Sequence, residues 1–233
     1  MTAICLFSPV YLENATLLSL RLKIPILQTL KANERIICFG CAINAKFLIE
    51  FALKNPIEYI IVQGENITSK YYDPKDEYGK TYIWLQKRCR VYQYSPYTAT
   101  LVKQKFGIEC AGLIDFEFLT RDNISHLPDC IDILFYGFPN DERCEVERLL
   151  KEKYPSKNIV FAFAIYGDEL LSLIVKAKAV INIPYFKDSA LEIHRINQAL
   201  ACGCTVYSKR SSCDYLNQKY ESKINFIEHY SDI

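Results

Sequence analysis

A carboxylate and a guanidinium three residues apart open the most informative stretch of this chain, SALEIHRINQALACGCTVYSKRSSCDYL, from Ser189 to Leu216. The pattern predicts a helix on which Glu192 and Arg195 lie side by side, flanking an apolar stripe of Ile193, Ile196 and Leu200. Both fall near the helix N-terminus, where the aligned peptide dipoles favour an anion. An arginine there can grip phosphate oxygens bidentately, and a carboxylate can accept hydrogen bonds from ribose or sugar hydroxyls. Ser189 with Glu192 three residues on also has capping-box spacing, each side chain satisfying a backbone N–H that the helix leaves orphaned. On spacing alone Glu192 fits either role. Gly203 supplies a left-handed stop before the strand CTVYS.

Residues of this kind need a sheet edge to stand on. In the second half DILFYGF, NIVFAFA, AVINIPY and CTVYS read as strands, and NDERCEVERLLKEKY, GDELLSLIVKAK and SALEIHRINQALACG as the helices between them. That succession is Rossmann-like, and its ligands sit beyond the carboxyl ends of the strands, where the strand order reverses. The same edge therefore collects Tyr136 and Gly137 with Arg143 in the next helix, Tyr166 after the second strand, Asn182 and Ile183 after the third, then Glu192, Arg195 and Ser208. A tight glycine lets the backbone approach a diphosphate, and a helix N-terminus offers it a positive end. Separately the signals have plainer readings. Arg143 sits among Asp141, Glu142 and Glu145 as on a solvated helix face, and Tyr166 is one of 17 tyrosines.

The first half follows the same βα rhythm. Strands are predicted near Thr2–Phe7, Arg35–Gly40, Glu58–Val62, Cys89–Gln93 and Glu109–Leu113, and helices near Ala42–Leu53, Tyr78–Arg88 and Ser95–Phe106. The last opens with Ser95 as cap and Pro96 at the first helical position. Ile114 to Cys130 has no clear period and reads as an extended connection. The expected division is a reduced lobe over 1–115, a connection over 116–130 and a second lobe over 131–233, all of class α/β with mostly parallel sheets.

Composition narrows the function. Lys and Arg number 28 against 27 Asp and Glu, so no global basic field gathers nucleic acid or anionic lipid. The start, MTAICLFSPVYLE, lacks a basic leader with a long apolar core, and no apolar run reaches the ~20 residues that span a bilayer. A soluble, cytoplasmic protein is expected. The ten cysteines are scattered through apolar strand-like segments and read as small core residues. Cys38 and Cys41 form a C-x-x-C pair without a second pair to match, and His126, His194 and His229 lack metal-ligand spacing, so no metal or redox centre is expected.

DILFYGFPNDER followed by IYGDELLSLIVKAKAVINIPYFKDSALEIHRINQALACGCTVYSKRSSCDYLNQKY resembles the nucleotide-sugar-binding half of GT-B glycosyltransferases, specifically the small group-1-like enzymes of bacteria and large DNA viruses. The shared features are a strand glycine with a following arginine, an asparagine ending the third strand, a Leu-Glu then His-Arg helix, and a closing serine loop with a downstream aspartate. In the first lobe IIVQGENI and VYQYSPYTATLVKQKFGIE resemble the family less specifically. The resemblance implies two Rossmann-like lobes with a cleft between them, and transfer of a sugar from a nucleotide-diphosphate sugar to a glycan or other hydroxyl acceptor. It implies no metal and no cofactor beyond that co-substrate, with Arg143 or Arg195 and backbone N–H groups neutralising the leaving diphosphate.

Two positions depart from the pattern. Gln198 stands where the wider group carries the glutamate that binds the donor ribose, and Lys209 where relatives commonly carry an acid. An inverting reaction needs a base in the first lobe, for which Glu65 after EYIIVQG is the candidate, its plainer role being to cap a turn with Asn66. A nucleotide-sugar epimerase of the same fold and a non-catalytic nucleotide-sugar-binding subunit are the competing readings.

Overall fold

The structure is a computed structural model that describes residues 2–27, 35–55, 57–64, 69–117, 119–120, 124–125, 127–128 and 130–233. It divides into two compact units, Met1–Leu119 with Asp188–Ala190, and Thr120–Lys187 with Leu191–Ile233.

The first unit is built on apolar runs such as TAICL and RIICF, which suit strands covered on both faces. Its strands are β1 (Thr2–Leu6), β2 (Ile26–Leu27), β3 (Arg35–Phe39), β4 (Glu58–Gln63), β5 (Arg90–Gln93) and β6 (Gly112–Leu113), with α1 (Leu12–Leu22), α2 (Ala45–Lys54), α3 (Glu77–Gln86) and α4 (Pro96–Phe106) between them. They form one parallel sheet in the order β2-β1-β3-β4-β5-β6. Ile4, Ile37 and Ile60 are aligned across it. Ile36, Cys38 and Ile61 pack with Leu48 of α2 and Val102 of α4 in its core. Ser95 caps α4 as its spacing predicts, its hydroxyl accepting from the Thr98 N–H at 3.1 Å. The strand expected at Glu109–Leu113 shrinks to two residues. Two elements, α1 and β2, lie where the sequence pattern gives no clear signal.

The second unit contains β7 (Ile131–Gly137), α5 (Asp141–Lys153), β8 (Ile159–Phe163), α6 (Gly167–Ile174), β9 (Ala177–Asn182), α7 (Ile193–Ala201), β10 (Thr205–Ser208), α8 (Asp214–Tyr220) and β11 (Asn225–Phe226). Its sheet is also parallel, in the order β11-β10-β9-β7-β8. The helix predicted over GDELLSLIVKAK ends at Ile174, because Ala177 is already paired with Ile131 as the first residue of β9. The predicted connection holds no helix or strand among its described residues from 114 to 130.

All ten cysteines are free thiols, six of them buried. Cys38 and Cys41 of the C-x-x-C pair are both among those six, and burial pushes the Cys38 thiol well above its ordinary pKa, which makes it an inert core residue. No helix among the described residues is long and apolar enough to cross a membrane.

Candidate functional site

In the second sheet β8 lies on one side of β7 and β9 on the other, so successive crossovers leave β7 in opposite directions. The crevice at the carboxyl ends of β7 and β9 is the switch point at which parallel α/β sheets take ligands. Gly137 ends β7 there and Asn182 ends β9.

Two buried arginines meet in that crevice. Arg143 comes from the first turn of α5, which Asn140 holds by accepting the Arg143 N–H at 2.8 Å and donating Nδ2 to the Tyr185 carbonyl at 3.0 Å. The Arg143 side chain is 2% exposed, and its fork is filled from all sides. Nε and Nη2 donate to the Ile183 carbonyl at 3.0 and 2.6 Å, Nη1 to the Phe138 carbonyl at 2.6 Å, and Nη2 also to both Glu192 oxygens at 3.3 and 3.4 Å. Among the described residues, Arg195 of α7 finds partners for one nitrogen only. Its Nη1 donates to Asn182 Oδ1 at 2.8 Å, weakly to the Ile183 carbonyl at 3.5 Å, and in a short ion pair to Glu192 Oε2. Its Nε is buried without a partner among the described residues. Both guanidinium planes lie over the Phe135 ring, at 4.9 and 5.1 Å from its centroid.

Gly137 makes this convergence possible. A Cβ on it would lie 2.8 Å from Arg195 Nη2 and 3.2 Å from Arg143 Nη1, closer than packed side chains allow. Around the pair, Tyr136 donates its hydroxyl to the Arg195 carbonyl at 2.8 Å. Asn182 donates to Ser208 Oγ at 3.0 Å, which fixes the amide so that its oxygen faces Arg195. Two guanidinium groups against one carboxylate leave the crevice one positive charge in excess.

The electrostatics follow from burial. Loss of solvent pushes Arg143 down to about 10 despite the neighbouring Glu192 charge, so it remains a cation at neutral pH. Burial alone would raise the Glu192 carboxyl, but Arg195 and Arg143 outweigh it and hold the group below its ordinary value. His194, beside them on α7, is driven by burial to about 4 and is neutral at physiological pH.

The capping box is a correction. Helix α7 begins at Ile193, and Glu192 occupies the N-cap position with no side-chain bond to a helix N–H. Its carboxylate is taken instead by two guanidiniums and by the Tyr185 N–H at 3.3 Å. Charge-assisted bonds of this kind are about twice as strong as neutral ones, so the cap loses the competition. The stop at Gly203 is as expected, with φ 79.

The structure thus brings Tyr136, Arg143, Asn182, Ile183, Glu192, Arg195 and Ser208 into one hydrogen-bonded set, with Gly137 packed against its two guanidiniums. Tyr166 stands apart from that set at the N-cap of α6, beyond β8. Glu65 lies outside the described residues. Phe135 belongs to the site without having been singled out, and Asn140 and Tyr185, which the sequence also puts on this edge after DILFYG and AVIN, join it. Asn140 is legible as a helix cap in the run N-D-E-R, whereas nothing local marks Phe135 or Tyr185 as a stacking partner. Among the described residues no three His, Cys, Asp or Glu side chains gather as they would around a metal ion.

No family model matches the chain, and no curated protein matches it in sequence. Among solved structures it is similar to HepE of Anabaena, in complex with UDP and glucose, with a TM-score of 0.59 at 8% identity over 98% of this chain and 83% of HepE. Arabidopsis thaliana UGT89C1, complexed with quercetin, aligns with a TM-score of 0.42 at 10% identity over 93% of this chain and 62% of its own. The likeness to HepE is one of fold, and with the two parallel-sheet lobes it bears out the GT-B-like α/β class expected from the sequence.

Proposed function

We propose that the chain is a metal-independent glycosyltransferase that binds a nucleotide-diphosphate sugar at the carboxyl edge of the second sheet and passes the sugar to a hydroxyl acceptor. The observation that carries this reading is the half-used fork of Arg195, set at the switch point in a crevice with one excess positive charge. The fold shared with HepE, whose solved structure holds UDP and glucose, supports it.

The two arginines would divide the work. Arg143 has its donors spent on two carbonyls and Glu192, so it is a positioning residue that ties α5 to the end of β9. Arg195 keeps Nη2, which has no hydrogen-bond partner among the described residues, for diphosphate oxygens. As the sugar–phosphate bond breaks, negative charge grows on the leaving diphosphate. A guanidinium already fixed by Asn182 and Glu192 meets that charge without reorganising, an effect typically worth a few kcal/mol. Glu192, with 20% of its side chain exposed, holds the arginines and can still accept a ribose hydroxyl at its open face. Ile183 is fully buried in the core and serves through its carbonyl, which holds Arg143, whereas Tyr166 would flank the nucleotide, and Glu65 would take the acceptor proton if the reaction inverts the anomeric centre.

The test is calorimetric titration and thermal shift against a panel of nucleotides and nucleotide sugars. A ligand at 100 times its Kd adds about 2.7 kcal/mol to native stability. Binding by the wild type, its loss in Arg195→Ala with the far-UV spectrum intact, and turnover that survives EDTA are expected. Unchanged affinity in both Arg195→Ala and Glu192→Gln would remove the site assignment.

A further inference from the structure

The loops that rim the charged crevice carry exposed aromatic rings that its ion pairs do not call for. Phe138 directly follows Gly137 at the end of β7, and Tyr185 lies three residues past Asn182 at the end of β9. Phe138 is 60% exposed and Tyr185 38%, and no other phenylalanine among the described residues of the second unit is exposed. The two ring centroids stand 6.4 Å apart, and Phe186 meets Tyr185 edge-on at 4.8 Å.

These rings are held in place before any ligand arrives. Tyr185 donates its N–H to Glu192 Oε1 at 3.3 Å, and its carbonyl accepts from Asn140 Nδ2 at 3.0 Å, so residues of the crevice fix its backbone on both sides. The Arg143 guanidinium lies 5.2 Å from the centroid of the Tyr185 ring, and the Phe138 carbonyl accepts from the same arginine at 2.6 Å. A side chain with two rotatable bonds on so fixed a backbone loses little freedom when a flat group stacks on it.

We propose, on the reading of the crevice as a diphosphate site, that Phe138 and Tyr185 form the surface on which the donor's nucleobase stacks. Glu192 joins the two places, since its Oε2 pairs with Arg195 and its Oε1 holds the Tyr185 backbone. Arg195, Glu192 and Tyr185 therefore follow one another in the order in which diphosphate, ribose and base follow one another in a nucleoside diphosphate. Every base has a π face, so the rings strengthen the binding of purine and pyrimidine nucleotides alike. A diphosphate without a base gains nothing from them.

The test is calorimetric titration of inorganic pyrophosphate, UDP, ADP and UDP-glucose into the wild type, Phe138→Ala, Tyr185→Ala and Tyr185→Phe, each checked for folding by its far-UV spectrum. The wild type is expected to bind UDP and ADP about tenfold more tightly than pyrophosphate. That ratio should fall towards one in Tyr185→Ala, fall several-fold in Phe138→Ala and be kept in Tyr185→Phe, which preserves the ring. Taking the ratio removes any change at the arginines themselves. Wild-type protein that binds pyrophosphate as tightly as UDP overturns the proposal, and so does a ratio unchanged in both folded alanine variants. A loss confined to UDP-glucose assigns the rings to the sugar and overturns it too. UDP binding that needs the rings but survives Arg195→Ala supports the stacking surface and counts against the diphosphate reading instead. Failure of all four ligands to bind removes both.

Discussion

The two lobes share a strand order at their centres, β2-β1-β3 in the first and β8-β7-β9 in the second, and therefore share a switch-point crevice. They fill it in opposite ways. In the first lobe Tyr11 lies over the strand ends, its ring 6.4 Å from that of Phe39 and 6.1 Å from that of Phe116. A Cβ on Gly64 would stand 1.8 Å from the Tyr11 hydroxyl oxygen, so the ring fits only where that side chain is missing. Buried polar groups nearby are neutral, with Gln63 bound to the hydroxyls of Tyr72 and Tyr82 at 2.5 Å each. In the second lobe the equivalent space holds two guanidiniums and a carboxylate. The topology offers a crevice twice, and side chains decide that one is packed shut and the other charged.

That contrast breaks most sharply at Glu192 and Tyr11. Glu192→Leu leaves two buried guanidiniums without their counter-ion, and loss of one partner of a buried pair costs about 3–5 kcal/mol. Tyr11→Ala empties a core aromatic at a comparable cost of about 3–5 kcal/mol. Denaturant titrations should show similar losses for the two variants, while nucleotide affinity disappears only in Glu192→Leu. A Tyr11→Ala protein that keeps its fold and loses nucleotide binding would mean that the first lobe's crevice serves the ligand too.

The lobes should also respond differently to acid. His194 is held at about 4 in the folded chain, against about 6.5 when unfolded. Between those values the unfolded state binds the proton that the folded state refuses, so stability is full above about pH 6.5 and falls as the pH drops towards 4. The loss is on the order of 2–3 kcal/mol. Glu192 extends the window downwards, since a depressed carboxyl loses its contribution only as the pH falls through its folded pKa. Unfolding followed from pH 7 to 4.5 should show the decline, and His194→Gln should flatten it. An equally steep decline in that variant would place the sensitivity elsewhere.

Gly137→Ala sharpens the comparison at a smaller cost. The added methyl meets guanidiniums that are already bonded on their other sides, a crowding worth about 1–3 kcal/mol. Nucleotide affinity should fall by more than stability does, because Arg195 is displaced on the edge proposed to face the diphosphate. Equal nucleotide affinity in Gly137→Ala and wild type would show that this edge is not the one used.

Local patterns carried much of the fold and less of the site. The runs of RIICF and DILFYGF marked covered parallel strands because strands buried on both faces have no polar alternation to hide them. Ser95-Pro96 marked a helix start because capping is decided within four residues. The two-residue strands β2 and β11 left no pattern, being shorter than any period. At the site, placement on strand ends puts Arg143, Asn182, Glu192, Arg195 and Ser208 on one edge, and in the structure they touch one another there. What spacing could not supply was the competition for Glu192. Three residues away Ser189 offered a cap, but Arg143, 49 residues away, arrives only through the crossover from β7, and its charge wins. The same long-range arrival separates the saturated Arg143 from the half-used Arg195, which as residue types look alike.

The smallest effect expected is the most discriminating about charge. Arg210 and Glu221 form a bidentate pair at 2.7 Å on both arms, with geometry better than that of Arg143 and Glu192. Each side chain is more than half exposed, at 52% and 56%. Water and salt screen such a pair, and ordering two long side chains offsets most of the attraction. Arg210→Ala should therefore leave the denaturation midpoint and nucleotide affinity where they are in the wild type. The longer contacts of Arg143 matter more because solvent cannot replace them. If Arg210→Ala matched Glu192→Leu in its effect, distance and not burial would be ranking these ion pairs, and the contrast between the two crevices would lose its physical basis.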